Sequence, residues 1–294
     1  MAELVRLTDE QLKELQEKSL EIAQYIVQFC EQHGLRIYFY AGSLLGAVRE
    51  HGFISWDDDI DLVMPAPDYQ KLIELWDKEA DTERFSLCMQ TRTYNDHTLS
   101  SSIRDNRTTF ITDSTEHFDV NQGLSVDLGT IHACPRTRIG RKFQLLCAAG
   151  CSLFKAGRVP ARQSKAVTFA AKMILGIFRT EGLRYFIWNT LEKIASVNDK
   201  HWESAKYVRE FSMFPYITWV FPREWFDKPV YHKFEDIEVP IPIGAKGYLK
   251  KRYGDYMKLP PEKDRHPEHR IVFMDLNTPY KEYRGKKYFQ KEKK

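Results

Sequence analysis

The 294-residue chain lacks any apolar run near the ~20 residues that a membrane-spanning helix needs, which argues against an integral membrane protein. Its first residues, MAELVRLTDEQ, carry no apolar h-region, so no signal peptide is expected. Cysteine is scarce: there are five, an odd number without framework spacing, which speaks against a disulfide-stapled secreted fold and for a reducing compartment. No sign of charge dominates, with 44 Lys and Arg against 41 Asp and Glu for a net +3, and nucleic acid is not expected as a partner. At 43% hydrophobic and 29% charged the composition is that of an ordinary globular protein, with disorder expected only at the tail.

What is present is concentrated in two places. Residues 38–64, YFYAGSLLGAVREHGFISWDDDIDLVM, set an aromatic β-favouring run before a Gly-Ser step, a short helical pattern over Leu44–Glu50, and four aspartates within five positions: Asp57, Asp58, Asp59 and Asp61. Ile60, Leu62 and Val63 favour a strand, on which Asp59 and Asp61 project side by side. Paired carboxylates repel unless a cation lies between them, and hard oxygen ligands that leave room for substrate phosphates suit Mg2+, with Mn2+ as the alternative. Gly42 and Ser43 let the backbone approach a phosphate at a helix start. The second concentration is basic: between Arg136 and Arg184 eleven Lys and Arg face one acid, Glu181, which suggests an anionic partner.

In chain order, Thr8-x-x-Gln11 is a capping box that opens an amphipathic helix running to His33 with Gly34 as its C-cap, and a strand follows over Leu35–Tyr40. A turn over Pro65–Asp68 precedes a helix over Tyr69–Lys78. Short β-like runs come at Phe85–Met89, Leu99–Arg104, Thr108–Ile111 and Leu124–Leu128, giving a small mixed sheet with helices on one side. In the last of these, Asp127 is a carboxylate between apolar neighbours. Residues 136–195 read as apolar, basic helices; the last third is rich in proline and aromatics; Lys286–Lys294 reads as a disordered charged tail. Cys134, Cys147 and Cys151 with His132 nearby do not have the spacing of a zinc ribbon or finger, and buried thiols are expected.

Gly42-Ser43 followed by Asp59-Ile60-Asp61-Leu62 resembles the nucleotidyltransferase-superfamily signature, and the longer AGSLLGAVREHGFISWDDDID resembles the LicD family of phosphocholine transferases, relatives of the fukutin group. Further matches are Phe234-Glu235, Val239-Pro240-Ile241-Pro242, Tyr253-Gly254-Asp255-Tyr256 and a closing His269. The resemblance implies an α/β (α+β) fold: a nucleotidyltransferase-like catalytic core over 1–135 with a mixed sheet, and a helical, irregular C-terminal part over 136–285 that binds donor and acceptor. It implies Asp59, Asp61 and Asp127 as catalytic metal ligands, and Gly42, Ser43, Arg49, Trp56, Arg104, Tyr253 and His269 as substrate-binding residues. The implied activity moves phosphocholine from CDP-choline to a hydroxyl of a cell-surface glycan precursor of teichoic acid or lipopolysaccharide type, releasing CMP. A quaternary ammonium is held by ring faces, for which Tyr38, Tyr40, Trp56, Tyr248 and Tyr253 are candidates. Three alternatives stay open: another CDP-alcohol such as CDP-ribitol, an NTP-using nucleotidyltransferase, or an inactive glycan- or membrane-binding protein. The expected location is cytoplasmic, with peripheral contact at the inner membrane face through 136–184.

Overall fold

Thr8 and Gln11 cap the first helix reciprocally: the Gln11 amide donates to Thr8 Oγ1 at 3.2 Å and the Thr8 amide to Gln11 Oε1 at 3.0 Å. The helix, α1 (Asp9–Gln32), ends where Gly34 takes φ +64° and the Leu35 amide reaches back to the Cys30 carbonyl. The structure, a computed structural model, describes residues 4–159, 164–211 and 216–290. The strand expected over 35–40 is shorter, β1 (Tyr38–Phe39), and α2 (Ala41–Arg49) begins three residues before the expected Leu44. Gly42 and Ser43 therefore lie in the first turn of a helix, after an Ala41 held at φ +43°, a conformation costly for a residue with a Cβ.

β2 (Asp61–Pro65) leads without a separate turn into α3 (Ala66–Glu79), because Pro67 falls within the first turn of the helix, where a missing N–H costs nothing. Then come β3 (Phe85–Cys88), β4 (Ser101–Asp105), β5 (Thr109–Thr112) and β6 (Leu124–Ala133). The expected run stopped at Leu128 before Gly129-Thr130; the strand continues five residues further because both of its edges are paired there. β2 runs parallel to residues 127–131 of β6, while the opposite edge is taken by β4 at 124–128 and by β7 (Tyr207–Glu210) at 131–133. With β8 (Phe221–Pro222) beyond β7, the result is a seven-stranded mixed sheet of main order β1-β2-β6-β4-β3.

One face of this sheet, carrying Leu62, Ile103, Val126 and Leu128, is buried against α1 and α3. Between β6 and β7 the chain forms three helices, α4 (Arg138–Ala156), α5 (Lys165–Ile177) and α6 (Glu181–Ala195); Arg162 of the basic stretch lies outside the described residues. No helix among the described residues is long and apolar enough to cross a membrane.

The proline-rich third is more ordered than its composition suggests. β9 (Pro229–Phe234) and β10 (Ile237–Pro242) form a hairpin on which Pro240 and Pro242 are tolerated because the hairpin pairs with no third strand. α7 (Ala245–Tyr253) follows, and β11 (Ile271–Asp275) pairs antiparallel with β5. Residues 286–290, expected to begin a disordered tail, are packed: Tyr288 is buried and the Phe289 amide donates to the Glu116 carbonyl at 2.7 Å. Only 291–294 of that tail lie outside the described residues.

Candidate active site

The face of the sheet away from α1 and α3 carries the acids. Asp61 on β2 and Asp127 on β6 are register partners on adjacent parallel strands, and Ser102 of β4 stands opposite Asp127 on its other side. Adjacent strands are roughly 4.8 Å apart, so Asp61 and Asp127 are immediate neighbours. Asp59 precedes β2 by two residues, and the ladder reaches back to it through the Asp127 amide, which donates to the Ile60 carbonyl at 3.0 Å. The helix α2 is fixed to this row by Ser43, whose hydroxyl accepts from the Asp61 amide at 2.9 Å. The first-turn amides of α2, including those of Gly42 and Ser43, have no partner within the helix, an arrangement that favours an anion. Glycine at position 42 makes room for Asp57: a Cβ there would stand 3.0 Å from the Asp57 carboxylate, which would have to give way.

Burial, added to mutual repulsion, holds protons on these acids. Asp59 and Asp61, both half-buried, lie well above the usual carboxylate range, Asp57 is pushed up to about 7, and Asp127, which is exposed to solvent and so the least affected, is raised, in each case first by desolvation and then, except at Asp127, by the neighbouring carboxylates. At Asp127 the hydroxyl of Ser100, donating at 3.2 Å, and the charges of His269 and Arg104 moderate the rise. Asp58 behaves oppositely. Burial alone would raise it, but it accepts from the amides of Glu268 and His269 at 3.3 and 3.1 Å and from His269 Nδ1 at 3.1 Å, and it stays below its ordinary value. His269, although partly desolvated, is pushed up to about 10 by that hydrogen bond and by the charges of Asp59, Asp58 and Asp127. β11 begins two residues after His269, so its pairing with β5 fixes the histidine in place.

Asp58, Asp59 and His269 have ligand atoms all within 4.8 Å of one another, an acidic and histidine cluster with the capacity to bind a divalent cation. Its members are not equivalent. Both Asp58 oxygens are already engaged, and His269 keeps its proton into the alkaline range, so these two form an ion pair. Asp59, Asp61 and Asp127, by contrast, are the carboxyls held above their ordinary range.

The remaining expected residues divide into those that reach this face and those that do not. Tyr253 lies close enough to Asp61 and Asp57 for their charges to raise its hydroxyl, pushed up to about 12 chiefly by burial. Arg104 shares the acid face but is buried, donating to Ser102 Oγ at 3.2 Å and the Gly123 carbonyl at 3.3 Å, with Asp96 at 3.9 Å. Arg49 ties segments together: its guanidinium donates to Glu50 at 2.6 Å and to the Tyr256 carbonyl at 3.2 Å, leaving only Nη2 without a partner among the described residues. Trp56 is half-buried with the Arg265 guanidinium 5.7 Å over its ring. Tyr38, Tyr40 and Tyr248 are core residues, Tyr38 donating to the Phe226 carbonyl and Tyr40 packed on Tyr248, so their rings are closed to a ligand and only Trp56 and Tyr253 remain of the five candidates. The five cysteines are buried free thiols, and His132 is held by Asp199 at 2.8 Å and stacked on Phe211.

Sequence reasoning missed Ser100, which nothing in its local pattern sets apart, and two residues near Asp61. Arg252 lowers Asp61 and Glu210 raises it by their charges. Arg252 stands beside Tyr253-Gly254 in a motif already singled out, so the basic run before it was the available signal.

The LicD/FKTN/FKRP nucleotidyltransferase-domain profile matches residues 34–126, which takes in α2, the aspartate cluster and the strands up to the residue before Asp127. Over 273 residues the chain is 29% identical to the lipopolysaccharide cholinephosphotransferase LicD of Haemophilus influenzae, covering 88% of this chain and 96% of that protein. Residues 34–126 thus resemble a LicD-type nucleotidyltransferase domain, and most of the chain is similar to a LicD cholinephosphotransferase.

Proposed function

We propose that the protein transfers phosphocholine from CDP-choline to a hydroxyl of a cell-surface glycan precursor and releases CMP. The observation that carries this reading is the row of Asp59, Asp61 and Asp127 beside the amide-bearing start of α2, on a chain similar over most of its length to a cholinephosphotransferase. Asp59, Asp61 and Asp127 would hold Mg2+, with Mn2+ as the alternative; bound there, it would neutralise charge on the diphosphate and favour phosphoryl transfer. The amides of Gly42 and Ser43 would donate to phosphate oxygens, and Asp127, which accepts from Ser100 Oγ, would take the proton of the acceptor hydroxyl. That oxygen bonds to the phosphorus bearing choline, the bond to the CMP phosphate breaks, and CMP leaves with the electron pair. Trp56 and Tyr253 are the candidate rings outside the core that would receive the choline head, each already having an arginine over one face. Arg49 and Arg104 act by positioning, the first by holding the Tyr256 segment and the second by its charge beside Asp127. Residues 1–135 would serve as the catalytic core and 136–285 as the donor- and acceptor-binding part. The location this implies is cytoplasmic, with peripheral membrane contact through 136–184.

The test is a panel of CDP-choline, CDP-ribitol and nucleoside triphosphates, assayed for CMP or pyrophosphate with Mg2+. CMP from CDP-choline is expected, with turnover down by about 100-fold or more in Asp59→Asn and Asp61→Asn while the fold persists. Preference for CDP-ribitol, or pyrophosphate from a triphosphate, would transfer the site to that rival; retained turnover in either variant would remove the metal assignment.

A further inference from the structure

The three helices inserted between β6 and β7 bury little of their apolar surface. α4 turns Cys147, Ala148 and Cys151 inward yet exposes Ile139, Phe143 and Leu146, spaced i, i+4, i+7, with Ile139 82% and Leu146 71% exposed. α5 buries only Ala171 and Leu175 and exposes Phe169, Met173 and Ile177, again one stripe. α6 buries Trp188 and Ala195 and leaves Leu183, Phe186 and Ile194 outside. Exposed apolar side chains scattered singly need no explanation, but stripes on three consecutive helices, joined by the shared cluster of Cys151, Phe154, Leu175 and Trp188, do.

Cations are interleaved with these stripes: Arg138 beside Ile139, Lys142 beside Phe143, Lys172 beside Met173, and Lys165 at the start of α5, all exposed. The ion pairs that residues 136–195 make among the described residues are Lys155–Glu192 and Arg184–Glu181, so these four cations have no acidic partner there. The cores of protein–protein interfaces are depleted of charge, whereas here the stripes of α4 and α5 carry these unpaired cations beside Ile139, Phe143 and Met173. A second copy of the chain would bring like charges together. At an anionic bilayer surface both components are satisfied at once: rings and aliphatic groups enter the headgroup boundary while long basic side chains extend back to lipid phosphates.

We infer that α4, α5 and α6 form a docking platform for an anionic membrane surface, with Phe143, Phe169 and Phe186 as its apolar anchors and Arg138, Lys142 and Lys165 as its electrostatic ones. The purpose of docking, access to a lipid-linked glycan, rests on the phosphocholine-transfer reading; the docking itself does not.

The experiment is co-sedimentation of the full chain with vesicles of phosphatidylcholine containing phosphatidylglycerol, and with phosphatidylcholine alone, across a salt series, together with sedimentation velocity without lipid. Binding to the anionic vesicles is expected, weakening as the Debye length falls below ~10 Å, with little binding to neutral ones. The triple variant Arg138→Gln/Lys142→Gln/Lys165→Gln should lose at least tenfold in partition at low salt, and Phe143→Ser/Phe169→Ser/Phe186→Ser should lose at least tenfold at every salt. Far-UV circular dichroism and thermal melting, measured on the same preparations, should be unchanged in both variants, which reports that they are folded. Failure of the native chain to bind anionic vesicles, binding untouched by either variant, or a dimer in solution that the serine variant dissociates would overturn the platform. Absence of CMP release from the native chain would instead count against the transfer reading and leave the vesicle result standing.

Discussion

Asp58 and His269 are 211 positions apart in the chain and share a hydrogen bond at the edge of the acid cluster. The pair has a pH signature whose sign follows from its two shifts. His269, raised to about 10, gives stability that is complete below its unfolded value near 6.5 and is lost as pH climbs through 10; Asp58, lowered, gives stability that is lost only in acid. The His269 side chain is 39% exposed, so solvent screening keeps the effect modest. Urea midpoints should therefore fall between about pH 7 and pH 10 in the native protein, and the fall should flatten in His269→Gln; an equal slope in the two would show that the pair does not carry it. At this scale the sequence was informative where chemistry is local. The closeness of Asp59 and Asp61 could be read from their spacing of two, although the strand expected to carry both begins only at Asp61, whereas Ser100 reaches Asp127 and Arg252 reaches the field of Asp61 only through tertiary packing. His269 came into view through its place in a family-like motif and through no property of its own neighbourhood.

Among the elements, the β9–β10 hairpin shows why the proline-rich third is built as it is. Its two-residue turn places Glu235 at φ +51°, and from there the Glu235 carboxylate accepts from the Phe53 amide at 2.9 Å while its own amide donates to the His51 carbonyl at 2.8 Å. Phe234, on the same turn, packs between Phe39 and Phe53. The turn is thus a clasp on the segment that joins α2 to the aspartates. Glu235→Ala should cost about 1 kcal/mol in chemical denaturation, and Glu235→Gln, which keeps a carbonyl acceptor, clearly less; equal losses would assign the effect to the backbone strain at that position. The helices α1 and α3 and the sheet's core strands were legible from period and capping. The extension of β6 past Gly129 was not, since it depends on partners that arrive from residues 61–65 and 207–210.

For the whole molecule, the main electrostatic fact is an acid cluster that is more stable protonated than charged. Carboxyls raised in the folded state keep their protons where the unfolded chain has lost them, so in chelator the protein should become less stable as pH rises from about 5 to 8. Millimolar Mg2+ should reverse the trend, because the cation binds the ionised form; melting temperatures with EDTA and with Mg2+ across this range decide it, and parallel curves would exclude these acids as the binding group. The exposed apolar stripes of α4 to α6 were invisible as exposed from sequence, where the same spacing reads equally well as a helix facing a core. The Asp58–His269 contact has a further consequence, for the order in which the molecule is made. The aspartates and their strands belong to the first half of the chain, while the cation that answers them comes from position 269. During synthesis the acids precede by some two hundred residues the segment that neutralises one of them, and long-separated contacts of this kind close late. Until then Asp58 stands without the hydrogen bonds that hold it ionised, so this corner of the acid row is completed only when most of the chain has been made.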